Sequence, residues 1–202
     1  MTSNPYYSGK MEKIVRGDSQ QIAETAAKKK SLIESGSHTL LVYNDLNAFR
    51  EIYTQYSRAL LPQNEIVVIG TQYEPINKVK NALRLAGVGD IERYLNEGRL
   101  FILDAQQGYH YADTLGMWKF AMSLLSRAKK EGRSGVTWFG DAGSFFSFEK
   151  IEELMRYELS LPQKYDDIVR TVCSYHLRDF EKLTEAQQHT LFDHHFKSIM
   201  VE

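Results

Sequence analysis

Five short apolar runs, HTLLVY (38–43), NEIVVIG (64–70), RLFILDA (99–105), GVTWFGD (135–141) and DIVRTVCSY (167–175), are separated by amphipathic stretches of helical length. They are rich in β-branched residues and lack the apolar/polar alternation of a half-exposed strand. Strands that lose this alternation are buried on both faces, as in parallel sheets covered by helices above and below. The expected fold is therefore α/β, a three-layer sandwich around a mainly parallel sheet of five or more strands with right-handed crossovers.

The intervening segments carry helix signals. LNAFREIYTQYSRALL places Phe49, Ile52, Tyr53, Tyr56 and Leu60 on one face, and PINKVKNALRLAGV begins with Pro75. IERYLNEG predicts a short helix. ADTLGMWKFAMSLLSRAKKEG is the longest, closed by basic residues and Gly132. SFEKIEELMRYELSL has Ser147 as its expected cap and TEAQQHTLFDHH has Thr184. The closing FKSIMVE predicts a short last strand. Ahead of the first strand, SQQIAETAAKKKSLIESG predicts a helix with Ser19 as cap and Gly36 as stop. Residues 1–16 are expected to be a flexible arm and 17–202 a single domain.

Charge and cysteine usage exclude some functions. Lys plus Arg (25) balances Asp plus Glu (26), so no net field favours nucleic acid or an anionic membrane. The single Cys173 excludes an intrachain disulfide and a cysteine-based zinc cage, and its apolar setting predicts an inert thiol. No stretch approaches the roughly 20 apolar residues of a membrane span, so a cytoplasmic protein is expected.

In an open parallel sheet, ligands settle beyond the carboxyl ends of the strands. Those ends read YND (43–45), GTQYE (70–74), DAQQGYHY (104–111), GDAGSF (140–145) and SYHLRD (174–179), mixing aromatic walls with a few polar groups as small-molecule sites do. Tyr43, Tyr73, Tyr109 and Tyr175 are expected to pack on a ligand, with His38, Asp141 and His176 orienting a polar group. A nucleotide is not expected. YNDLNAFR has no glycine loop and no lysine, and Asp45 puts a carboxylate at the helix start where a phosphate would sit. His189 and Asp193 have helical i, i+4 spacing, but His194 turns away from His189; no metal set or cofactor is expected. No catalytic motif stands out. The alternatives to a binding domain are an enzyme using His176 or Glu158 as general base, and an oligomeric scaffold docking through Tyr6 and Tyr7.

HTLLVYND, IGTQYEPINKVKNALRLAGV, TVCSYHLRDF and HHFKSIM, in that order from His38 to the C-terminus, resemble the MEDS family, a methanogen and methylotroph sensory domain first named from a dichloromethane regulator. The resemblance implies a RecA- or KaiC-like fold that has lost its phosphate loop (Walker A). It further implies a non-catalytic domain that senses small hydrocarbon derivatives or related metabolites and signals through a regulatory partner, with self-association as a further expectation. By the same resemblance His38, Tyr43, Cys173, Tyr175 and His194 or His195 become ligand-site positions. The chain departs from the family pattern at His176, where an acidic residue is more usual, and at Phe196, where proline is common.

Overall fold

A computed structural model describes residues 11–14, 32–165 and 168–201, with 11–14 and 108–113 described by backbone alone. The five apolar runs are strands and two more join them: β1 (Met11–Ile14), β2 (Ser37–Tyr43), β3 (Ile66–Thr71), β4 (Leu100–Asp104), β5 (Val136–Asp141), β6 (Val169–His176) and β7 (Lys197–Val201). Among the described residues these strands pair in parallel, in the order β1-β7-β2-β6-β5-β3-β4. β2 and β3 are buried along their whole length, which is the physical reason their sequences do not alternate.

The helices are α1 (Leu46–Leu60), α2 (Ile76–Leu85), α3 (Ile91–Asn96), α4 (Ala105–Lys130), α5 (Gly143–Ser147), α6 (Ile151–Ser160), α7 (Leu177–Phe180) and α8 (Glu185–His194). α1 to α3 cover one face, where Phe49, Ile52 and Tyr56 pack on Tyr43, Ile69 and Phe139. The opposite face holds two separate apolar clusters. One joins Leu40 and Tyr175 to Leu154, Phe180 and Leu191; the other joins Ile66, Val68 and Val136 to Leu124 and Ala128 of α4. The molecule is thus the expected three-layer α/β sandwich.

The helix ends explain where the elements stop. Asp45 caps α1, its Oδ1 accepting from the backbone N–H of Asn47 at 2.6 Å and of Ala48 at 3.0 Å. The anion that suits this junction is therefore supplied by the chain itself. Asp45→Ala is expected to lower stability by about 1 kcal/mol in urea denaturation, and an unchanged midpoint would show that the carboxylate carries no cap. Thr184 forms a capping box with Gln187 at the start of α8. Gly132 follows α4 with φ +62°, a conformation that suits glycine.

Three expectations change. Ser147 does not cap the helix after it; it ends α5, and α6 starts after Lys150. Its hydroxyl instead donates to the Gly143 carbonyl within α5, the competing local bond open to serine. The segment expected as a loop around DAQQGYHY is the first part of α4, because Asp104 caps it through the Gln107 N–H at 3.0 Å. Within the expected arm, Met11–Ile14 pairs with β7 at the sheet edge, and four residues with so few apolar positions carry no readable strand pattern. The rest of the arm, Tyr6 and Tyr7 included, and the body of the helix expected before β2 lie outside the described residues.

Candidate functional site

On the face covered by α4 to α8, adjacent strands place Leu103, Gly70, Gly140, Cys173 and Leu40 in one row across the sheet. Two neighbouring positions of that row have no side chain. Above them a cavity of about 450 Å³ opens under α4, walled by Met117, Phe120, Trp138 and Phe145 and reaching Glu158 and Cys173. It takes its walls from both apolar clusters of this face. The two glycines are the sequence signal that was open to reading, since VVIG and TWFG end equivalent strands.

Beside the cavity lies a buried polar cluster. His38 from β2, Glu158 from α6, Cys173 from β6 and His195 just after α8 bring one ligand-type atom each to within 4.8 Å of one another. His38 Nε2 is 3.3 Å from Glu158 Oε2 and 3.2 Å from Cys173 Sγ, and His195 Nε2 is 3.3 Å from the same Oε2. The rest of the cluster is anchored from outside. Tyr175 donates its O–H to Glu158 Oε1 at 2.6 Å, and His195 Nδ1 bonds the Leu191 carbonyl at 2.7 Å. A carbonyl can only accept, so His195 Nδ1 carries a proton and Nε2 is the ring nitrogen turned toward the Glu158 carboxylate.

Charge follows geometry here. Burial alone would raise the Glu158 carboxyl, but the His195 and His38 imidazoles on its oxygen hold it well below the usual carboxylate range. Burial lowers His38 and favours the neutral ring. Burial, with the nearby Glu158 charge, pushes the Cys173 thiol up, so without a cation it stays protonated and unreactive.

A second group lies at the carboxyl ends of the strands. Tyr43 donates to Asp141 Oδ2 at 2.9 Å, and the Gly143 N–H donates to Oδ1 at 2.9 Å. Tyr73 donates to Asp179, which also pairs with Lys182 at 2.7 Å. His176 stands edge-on to Tyr43 and Tyr73, at ring-centroid distances of 5.2 and 5.9 Å, and its Nδ1 accepts from the Arg178 N–H.

The residues singled out from the sequence therefore divide in two. His38, Cys173 and Tyr175 meet at the buried cluster; Tyr43, Tyr73, Asp141 and His176 meet at the strand ends, where Asp141 also lines the cavity. Asp45 is the α1 cap. Tyr109 falls in α4, and its side chain lies outside the described residues. Of the two late histidines, His195 enters the cluster, whereas His194 bonds the Leu161 carbonyl at 2.7 Å beside it. From the sequence, Glu158 is a candidate only as the general base of an enzyme. Its burial comes from α6 packing Leu154 and Glu158 on the same side.

No curated protein matches the chain significantly. The family model for MEDS, the "MEthanogen/methylotroph, DcmR Sensory domain", matches residues 37–195. That span runs from the first residue of β2 to the imidazole that completes the buried cluster, and by it the chain belongs to the MEDS family of sensory domains.

Proposed function

We propose that the chain senses a small, largely apolar metabolite or hydrocarbon derivative that fills the cavity beneath α4, and passes the signal to a regulatory partner protein without catalysis. The observation that carries this reading is the paired absence of side chains at Gly70 and Gly140, which leaves an apolar chamber ending in the polar atoms of Glu158 and Cys173. Apolar walls supply affinity and a few polar groups supply orientation. An occupant touches α4 through Met117 and Phe120, while Leu115, Trp118 and Met122 of the same helix are exposed. A ligand that prefers one setting of α4 shifts the population a partner reads.

The test fills the chamber from its floor. A Cβ at Gly70 would meet the Phe139 carbonyl at 3.6 Å, an ordinary contact, so Gly70→Leu is expected to fold and to occupy the ligand's space. Short-chain alcohols, thiols, amines and halocarbons are screened by thermal shift, with the bound compound recovered for mass spectrometry. At least one class is expected to raise the melting temperature of the wild-type chain by several degrees, not that of Gly70→Leu, and to be recovered unchanged. Equal stabilisation of both chains would remove the cavity from the argument. Chemical conversion of the compound would favour the enzyme reading.

A further inference from the structure

We infer that His38, Glu158, Cys173 and His195 form a binding site for one divalent transition-metal ion of the zinc class. The inference goes beyond the sequence reading, in which no metal was expected, and it stands on the cluster's geometry independently of any ligand in the cavity.

The donor set selects the ion. Two imidazoles, one carboxylate and one thiol suit zinc-like ions, whereas calcium and magnesium take oxygen ligands almost exclusively. The spacing agrees. Metal bonds of about 2.0–2.3 Å in a tetrahedron place neighbouring donors roughly 3.3–3.8 Å apart. The closest contacts here are 3.3 Å for each imidazole to Glu158 Oε2 and 3.2 Å for His38 to Cys173, and the four donors all lie within 4.8 Å of one another, so a small inward shift brings the set to that range.

The atoms facing this point are also unsatisfied. Glu158 Oε2 and His195 Nε2 are buried and meet each other at 3.3 Å without hydrogen-bond geometry, so this close charge contact leaves both atoms short of a hydrogen bond. Buried polar atoms without partners are rare, and a bound ion is one standard reason for them. His38 Nδ1 is without a hydrogen-bond partner among the described residues, so the polar contacts of this ring are those its Nε2 makes inside the cluster, and it packs against His195 at a centroid distance of 4.0 Å. The other two anchors are outer-shell bonds of the kind that metal ligands use: His195 Nδ1 on the Leu191 carbonyl and the Tyr175 hydroxyl on Glu158 Oε1.

Binding needs no redox step. The thiol S–H bond breaks, its proton leaves to solvent, and the sulfur pair forms the bond to the ion while the imidazoles and the carboxylate donate existing lone pairs. Glu158 and Cys173 both line the cavity, which provides the ion's route in.

Cobalt(II) is the probe, because thiolate ligation gives a near-ultraviolet charge-transfer band separate from the visible bands of the ion. Full-length chain stripped with chelator is titrated with Co²⁺ and then with Zn²⁺, and near-ultraviolet circular dichroism checks that each chain is folded. The wild type is expected to bind about one ion per chain, to show the thiolate band, and to lose it when zinc displaces cobalt. Cys173→Ser should keep the visible bands and lose the thiolate band. His195→Ala should weaken binding by more than the roughly 10- to 100-fold typical of losing an outer-shell partner. Folded wild-type chain that takes up no cobalt overturns the inference. So does uptake whose spectrum and affinity are the same in Cys173→Ser. If His195→Ala does not fold, the wild type and Cys173→Ser decide between these outcomes. A chain that binds metal but takes no cavity ligand leaves this site standing and removes only the reading of the cavity.

Discussion

Glu65→Ala is expected to cost about 3–5 kcal/mol of stability. Glu65 is 3% exposed just before β3, and its Oε1 accepts from Arg170 Nη1 at 2.7 Å and from the Thr137 hydroxyl. Arg170, on β6, is 9% exposed. Taking the carboxylate away leaves a guanidinium in the interior with its charge uncompensated and a buried hydroxyl without its acceptor. The attraction within the pair is not the main quantity, because desolvation has already offset much of it. Glu65→Leu combined with Arg170→Met is therefore expected to recover most of the loss. Urea denaturation of the two chains checks this, and a double variant no more stable than Glu65→Ala would refute it. The pair lies at the amino ends of the strands, so cobalt binding by the folded fraction should not change.

The second large effect concerns pH. Asp141 is buried, and burial pushes its carboxyl up from the ordinary 3.8 to about 6, against the pull of the bonds from Gly143, Tyr43 and Gln72, with Asp179 adding a little repulsion. A carboxyl raised in the folded state binds its proton more tightly there than in the unfolded chain. Its favourable contribution is thus complete below pH 3.8 and is lost as pH rises through about 6. The gap corresponds to about 3 kcal/mol. Asp141→Asn, which resembles the protonated acid, is expected to match the wild type near pH 4 and to exceed it by up to about that amount above pH 7. His176, whose pKa burial lowers, titrates in both chains, so the difference between their denaturation curves isolates Asp141. A difference that is constant from pH 4 to pH 8 would sink the prediction.

Much of the architecture was legible because it follows from local chemistry. Absence of alternation in IVVIG and HTLLVY reports burial on both faces, and the spacing of Phe49, Ile52, Tyr53, Tyr56 and Leu60 reports a helix with one inner side, all five of them buried. Asp45 and Thr184 act through backbone groups two or three residues away, so their capping roles can be read from neighbours. Ser147 shows the limit of this method, since two adjacent short helices competed for one serine and the local bond within α5 took it.

The polar cluster had no such signature. His38 and Cys173 are 135 positions apart, and the i, i+4 rule applied to His189 and Asp193 describes one helix whereas the cluster draws on four separate segments. Composition, periodicity and capping determined that this chain is a doubly covered parallel sheet with a self-capped first junction, because each of these acts within a few residues. Which atoms share the interior was decided only by the parallel register. That register sets Gly70 beside Gly140 and Cys173 beside Leu40, and brings the loop after α8 under the start of β2, since strand pairing joins positions that no sequence separation predicts.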